Sequence, residues 1–177
     1  MDFLDLVNKR RSVRKYKNVP VARELVDKCL EAARLAPSAC NSQPWSFIVI
    51  DTEKTKNEIV EKALSGIHGI NTFAKTAPVI VVVITEKANF ASQMGSLAKG
   101  TEYNRIDIGI TAGHFALQAA ELGLGTCIMG WFDEKAVKKI LGIPAGKKID
   151  ILITLGYPES EEGQKVRKSI DEIRKFV

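Results

Sequence analysis

The apolar run Val79–Ile84 restricts the fold more than any other part of this sequence. It consists of β-branched residues without a polar interruption, directly after Pro78, and this composition favours a β-strand. A strand without polar alternation is buried on both faces of its sheet. The run is also shorter than the roughly 20 residues of a membrane-spanning helix. We therefore expect a sheet that other elements cover on both sides.

The spacing of apolar residues predicts further elements around this strand. Pro37 ends one predicted helix, because the residue before a proline disfavours the α conformation. Helices separated by at least three strands indicate an α/β or α+β sandwich, and periodicity leaves the strand directions open. The predicted strands cover residues 45–50, 79–85 and 149–155, and the predicted helices cover residues 3–7, 22–36, 53–64, 101–122 and a short stretch between the N-cap Asp133 and Gly142.

The composition is that of one globular domain. The chain has 177 residues, of which 45% are hydrophobic and 27% are charged, unlike a disordered chain. Its cysteines, Cys29, Cys40 and Cys127, are far apart and form no CxxC motif, so we expect neither a disulfide framework nor a metal site. The N-terminus lacks the pattern of a secretory signal. We expect a cytoplasmic protein without a membrane segment.

The charge pattern contains one unusual segment. The net charge is +5, but most basic residues alternate with acids, which is typical of solvated helix faces and not of a nucleic-acid surface. The basic segment (residues 9–15) contains no acid. Arginine forks and the Ser12 hydroxyl suit a phosphate, although a solvated basic turn would have the same composition.

The helix predicted at 101–122 carries a stripe of small residues. Gly109, Gly113, Ala116 and Ala120 recur at helical spacing. A glycine inside a helix costs about 1 kcal/mol relative to alanine, so we expect a packing gain in return. The stripe permits close packing either against this chain's own sheet or against a second subunit, and the sequence favours neither.

Two loops carry groups that could recognise a ligand. The amide loop (residues 37–43) contains serine, asparagine and glutamine side chains, which suit either an ordinary turn or a heterocycle with donors and acceptors on its edge. The segment 123–132 contains three glycines. A tight helix-to-strand connection explains Gly123 and Gly125 but not Gly130, where backbone could approach a ligand closely.

Taken in order, four motifs resemble the nitroreductase family of flavoproteins. They read RRSVRKY, APSACNSQPWSFIVI, DIGITAGHFALQAAELGLGTCIMGWF and ILGIP…ITLGYP. The resemblance spans most of the chain, from residue 10 to about residue 167. The resemblance implies an α+β fold with a central mixed or antiparallel sheet flanked by helices. It also implies an intertwined homodimer in which residues 160–177 exchange onto the partner subunit.

The resemblance also implies an FMN site shared between subunits. Arg14 would face the N1–C2=O edge of the flavin, the amide loop would come from the other subunit, and the backbone at Gly130 would face flavin N5. The implied FMN-binding residues are Arg10, Arg11, Ser12, Arg14, Pro37, Ser38, Ala39, Asn41, Gln43, Asn71, Met129, Gly130, Lys165 and Arg167.

The implied activity is hydride and electron transfer by FMN from NADH or NADPH to nitroaromatic, quinone or similar electron-poor acceptors, with ping-pong kinetics. No side chain is expected to act as a nucleophile, and His68 and His114 receive no role. Two departures from the family are visible. Met129 stands where some members have glutamate, and the segment between Thr85 and Thr101 leaves room for only a small lid or none.

Two alternatives to this activity stay open. The chain could be an FMN-binding sensor or carrier with little turnover, or a specialised flavin reductase or reductive dehalogenase. Cys40, close to the implied flavin loop, is expected to be a small buried hydrophobic residue and not a redox thiol.

Overall fold

A four-stranded antiparallel sheet forms the centre of the protein. The computed structural model describes residues 2–160 and 165–177. Within these ranges the strands lie in the order β1-β2-β4-β3 and every neighbouring pair is antiparallel. The strands are β1 (Trp45–Ile50), β2 (Val79–Thr85), β3 (Gly125–Met129) and β4 (Lys148–Gly156).

Helices surround this sheet, and α5 is the longest of those described. The described residues include no helix that combines the length and the apolar character needed to cross a membrane. The α-helices are α1 (Phe3–Lys9), α2 (Arg23–Arg34), α3 (Glu53–Ala63), α4 (Phe90–Lys99), α5 (Tyr103–Glu121), α6 (Glu134–Leu141) and α7 (Ile170–Ile173), and two 3-10 segments cover Ala39–Asn41 and Gly66–Thr76.

Strand β2 is buried on both faces, as its sequence predicts. Its odd-numbered residues from Val79 to Val83 pack in one cluster with Phe115 of α5 and Cys29 of α2. Its even-numbered residues from Ile80 to Ile84 pack in a second cluster with α3 and α6. The sheet is therefore the middle of three layers. This arrangement confirms the α+β fold class.

The small-residue stripe of α5 is only partly covered by this chain. Ala116 and Ala120 are buried. In contrast, a Cβ atom added to Gly109 or Gly113 would meet no heavy atom within 4 Å apart from α5 itself and its chain neighbours. Burial within this chain therefore accounts for the alanines but not for the two glycines.

Both ends of helix α6 confirm the prediction. The Asp133 side chain accepts a hydrogen bond from the Ala136 N–H and begins α6, and Gly142 ends it in the left-handed conformation. The segment between β2 and α5, where the sequence leaves room for only a small lid or none, contains the ten-residue helix α4. Its exposed apolar residues are Phe90, Met94 and Leu97.

Candidate functional site

The basic segment runs alongside β3 at the edge of the sheet. Ser12 forms a parallel bridge with Thr126, and the Val13 N–H donates to the Thr126 carbonyl at 2.8 Å. Val13 is buried and explains Gly125, because a Cβ atom on Gly125 would lie 2.5 Å from Val13 Cγ2. Tyr16 links the basic segment to β4, since its hydroxyl lies 2.7 Å from the Val13 carbonyl oxygen and 2.6 Å from Thr154 Oγ1.

A cluster of cations forms where the basic segment meets the C-terminal residues. The Lys165 ammonium donates to the Val7 carbonyl. Burial, and then the nearby guanidinium groups of Arg10, Arg167 and Arg11, hold the pKa of Lys165 below its ordinary value. Like charges held this close repel one another, and an anion placed among them would relieve that repulsion.

A cavity of about 550 Å³ opens beside this cation cluster. Arg10 and Arg11 line it together with Lys9 and Lys17, and Leu124 contributes to its apolar part. The structure thus places Arg10, Arg11, Lys165 and Arg167 at one locus.

Arg14 lies on the exposed side of the basic segment. Its guanidinium lies 5.9 Å from the centre of the Phe73 ring, and one of its NH groups donates to the Ser12 carbonyl at 3.4 Å. Phe73 belongs to the 3-10 segment Gly66–Thr76 and packs against the buried Val13 and Tyr16. Arg14 is therefore held beside this segment.

The turn after β3 lies at the other end of the same 3-10 segment. Asn71 is buried, and its side-chain amide donates to the Trp131 carbonyl at 2.7 Å. Met129 is buried and Gly130 is exposed. A Cβ atom on Gly130 would find its nearest heavy atom at 3.9 Å, the Asp150 carbonyl oxygen. This chain's own packing therefore does not require a glycine at position 130.

The amide loop holds its backbone in a conformation that non-glycine residues rarely adopt. Cys40, Asn41 and Gln43 have φ of 51°, 50° and 46°, and strained backbone of this kind is concentrated at functional sites. The surrounding helices hold the loop in place. The Ala39 N–H donates to the buried Asp107 of α5 at 3.0 Å, and the Asn89 amide at the start of α4 donates to the Cys40 carbonyl at 2.9 Å.

The expectation that Cys40 is buried is wrong, because the residue is exposed. The left-handed backbone of the loop, anchored at Asp107 and Asn89, turns this position outward. Sequence reasoning also missed Asp107 and Asn89 as anchors of the loop. A carboxylate among the small and apolar residues of α5 was the available signal for Asp107.

The predicted site residues other than Ser12 and Met129 thus fall into three groups. The cation cluster forms one group, and Arg14, Asn71 and Gly130 form a second along the 3-10 segment Gly66–Thr76. The hydrogen bonds of the amide loop run within the loop and to α4 and α5, so Pro37, Ser38, Ala39, Asn41 and Gln43 form a third group. Arg10 and Arg11 of the first group and Arg14 of the second lie in one basic segment, an arrangement that suits an elongated ligand with an anionic end.

These features define a class: layered α+β proteins with a cluster of cations and a cavity at the edge of the sheet. Within that class the chain belongs to the nitroreductase family, whose sequence profile matches residues 7–157. It is an oxidoreductase. An NADH dehydrogenase of Thermus thermophilus is 33% identical over 181 residues, an alignment that covers 88% of this chain and 85% of that protein.

Two further similarities concern the fold. An iodotyrosine deiodinase of Thermotoga neapolitana is 26% identical, with 94% of each chain covered. The solved structure of an FMN-dependent nitroreductase of Clostridium difficile R20291 has a TM-score of 0.79 at 29% identity and covers 99% of this chain and 98% of that one. These similarities confirm the nitroreductase fold that the sequence motifs imply.

Proposed function

We propose that the protein is an FMN-dependent NAD(P)H oxidoreductase that reduces nitroaromatic, quinone or similar electron-poor acceptors. The observation that carries the proposal is the cation cluster, which brings Arg10, Arg11, Lys165 and Arg167 to one place beside the cavity. Burial, and then the three guanidinium groups, hold the pKa of Lys165 below its ordinary value. Four basic side chains held together favour a doubly charged phosphate, and arginine forks bind phosphate oxygens in pairs.

The residues of the other two groups also fit FMN. Gly130 has no internal reason to be glycine, so the absence of its side chain would let a flat ring approach the backbone. Arg14 would stabilise negative charge on the pyrimidine edge of that ring. Ser12 of the basic segment, Asn71 of the 3-10 segment Gly66–Thr76 and Met129 at the end of β3 would complete the site.

The bound FMN would supply the hydride and electron chemistry, so NAD(P)H and the acceptor can use one surface in turn. The chain's own task would then be to hold the ring and to orient donors toward it. Arg14 keeps its charge throughout the physiological pH range. The backbone of residues 129–131 would offer an N–H group toward the ring.

We further propose that two copies of the chain form the site. The amide loop is exposed and strained, but α4 and α5 hold it, which suits a loop that contacts a ligand bound to the other copy. The C-terminal residues 165–177 also carry apolar side chains that are exposed to solvent. Ile173 is 67% exposed and Phe176 is 83% exposed. A partner subunit would cover these side chains together with Gly109 and Gly113.

Titration of the apoprotein with FMN and with riboflavin tests the flavin proposal. We expect a yellow complex that prefers FMN over riboflavin, because riboflavin lacks the phosphate. Arg10→Ala and Arg167→Ala should each lower that preference by about 10-fold or more, as expected for a lost charge-assisted bond of about 1.5–3 kcal/mol. NADH should then bleach the flavin absorbance, and a nitroaromatic or quinone should restore it.

Arg34→Ala is the matched control, because Arg34 is exposed on α2 and pairs with Glu31 at 2.7 Å. Its FMN preference should equal that of the wild type. A wild-type protein that bound FMN and riboflavin equally would contradict the role of the cation cluster. FMN binding without steady NADH oxidation would instead support the sensor or carrier alternative.

A reductive dehalogenase is a second candidate. Helix α4 supports it, because Asn89 joins the start of α4 to the amide loop and its exposed Phe90 and Leu97 could cover an aromatic substrate. Release of iodide from an iodinated phenol by the reduced protein would favour this activity over nitro reduction.

A further inference from the structure

Two hydrogen bonds in opposite directions join the turn after β3 to the 3-10 segment Gly66–Thr76. The Asn71 amide donates to the Trp131 carbonyl at 2.7 Å. The Trp131 indole N–H donates to the Ile67 carbonyl at 2.9 Å. The ring of His68 also contacts the indole, with 5.2 Å between ring centres and 47° between the ring planes. We call these four residues the indole latch.

Burial alone does not account for the indole latch. Trp131 remains 56% exposed and Ile67 remains 82% exposed, so little apolar surface is removed from water there. The specific contacts are directed hydrogen bonds to backbone carbonyls, and one of their donors, the Asn71 amide, is itself buried. Such an arrangement restricts orientation more than it contributes hydrophobic stability.

Trp131, whose orientation these hydrogen bonds restrict, directly follows Gly130. A glycine has more backbone freedom than any other residue, and a flexible Gly130 could not hold an N–H group in one direction. Trp131 is held both at its carbonyl and at the end of its side chain, so the peptide groups on its two sides lose that freedom. Pre-organised donors stabilise developing charge because they need not reorient during the reaction.

The same 3-10 segment also contacts Arg14. Phe73 lies under the Arg14 guanidinium and packs against Val13 and Ala77. The 3-10 segment Gly66–Thr76 therefore contacts both the turn after Gly130 and the Arg14 side chain, at the two places where the proposed flavin would need donors.

We propose that Asn71 and Trp131 are positioning residues, which fix the backbone at residues 129–131 so that it tunes the reactivity of the bound flavin. The proposal rests on the proposed function. It assigns Asn71 an action through the Trp131 carbonyl, to which its amide N–H is committed. The indole latch should therefore affect the reduction potential and the rate of flavin reduction more than the affinity for FMN.

The central experiment compares Trp131→Phe with Trp45→Phe. Trp131→Phe keeps an aromatic ring but removes the donor to Ile67, whereas Trp45 is the chain's other tryptophan and lies in β1. For Trp131→Phe we expect the limiting rate of flavin reduction by NADH to fall roughly 3- to 10-fold, as for one lost neutral hydrogen bond. The midpoint potential should shift, while the Kd values for FMN and NADH should change less than the rate. Trp45→Phe should leave all four quantities unchanged.

A second measurement needs no flavin. In the ¹⁵N-tryptophan-labelled apoprotein, the indole N–H of Trp131 should exchange slowly with solvent despite the exposure of its ring. Asn71→Leu should accelerate that exchange and should reproduce the kinetic effect of Trp131→Phe, provided that its thermal unfolding shows a folded protein.

The outcomes separate the two proposals. A wild-type protein that binds no FMN would overturn the proposed function and the inference with it. A flavin-loaded Trp131→Phe variant with the wild-type potential and reduction rate would overturn the inference alone. Rapid exchange of the Trp131 indole in the wild type would also count against the indole latch, whatever the flavin does.

Discussion

Gly125 and Gly130 lie at the two ends of β3 and its following turn, and the space around each of them differs. Val13 Cγ2 fills the space where a Cβ atom on Gly125 would lie. Around Gly130 the nearest heavy atom is 3.9 Å from such a Cβ atom, which is an ordinary van der Waals distance. A missing side chain thus serves internal packing at position 125 and is free to serve a ligand at position 130.

Alanine substitution should separate these two roles. Gly125→Ala should destabilise the fold by about 1–3 kcal/mol through overpacking against Val13. Gly130→Ala should leave the unfolding free energy nearly unchanged but weaken FMN binding by about 10-fold or more, since a methyl group would stand between the backbone and the ring. Denaturant unfolding of the apoprotein and FMN titration measure the two effects. Equal FMN affinity of Gly130→Ala and wild type would contradict a close approach of the flavin.

One carboxylate of helix α6, that of Glu134, bonds to strand β4 of the sheet. Glu134 accepts the Ile149 N–H of β4 at 3.0 Å and pairs with Lys138 and Lys148 at 2.8 and 2.5 Å. Burial alone would raise the pKa of Glu134, but the bonds from Lys138, Lys148 and the Ile149 N–H outweigh it and lower the pKa from 4.5 to about 2. The ionised carboxylate is therefore favoured in the folded state.

This shift predicts a pH-dependent contribution to stability. Because the folded pKa of Glu134 lies below its unfolded value, its contribution is complete above about pH 4.5 and is lost as the pH falls toward about 2. Glu134→Gln should lower the unfolding free energy by about 1–2 kcal/mol at pH 7 and by much less near pH 2. Denaturant unfolding at both pH values measures this difference. Glu58→Gln on the exposed face of α3 is the control, and a similar loss in that variant would argue against a specific role of Glu134.

Among the elements, periodicity predicted those with a clear apolar face. The strands 45–50 and 79–85 have the predicted bounds, and α5 lies within two residues of the prediction at each end. Helix α4 escaped prediction because Ser92, Gly95 and Ser96 interrupt its apolar pattern. The 3-10 segment Gly66–Thr76 does not follow the repeat of an α-helix.

In the candidate site, local motifs could be predicted from the sequence but contacts between distant residues could not. The basic segment and the amide loop are recognisable as local motifs. The partners that hold them are distant in sequence: Asp107 anchors Ala39, and Trp131 bonds to Ile67 and Asn71. A single sequence carries no direct signal for such pairings, so the indole latch and the loop anchors emerge only from the fold.

At the scale of the whole molecule, three surfaces would be covered by the proposed second copy of the chain. Among the described residues, the two glycines of α5, the exposed positions of the amide loop and the apolar side chains of residues 170–177 have open space or solvent beside them. A two-fold arrangement would place the amide loop of each copy against the flavin bound to the other, which produces two equivalent sites. Each site would then need residues from both copies.

Mixed dimers test this arrangement directly. Arg10→Ala and Asn41→Ala should each weaken FMN binding in the homodimer. In a hybrid of the two variants, one site has lost both residues and the other has kept both, so we expect about half of the wild-type FMN stoichiometry. A hybrid of Arg10→Ala with Arg167→Ala is the matched control. Since both residues lie in one chain's cation cluster, each of its sites keeps one defect and no binding should return. A hybrid of Arg10→Ala with Asn41→Ala that binds no more FMN than this control would show that the amide loop does not act across the subunit boundary.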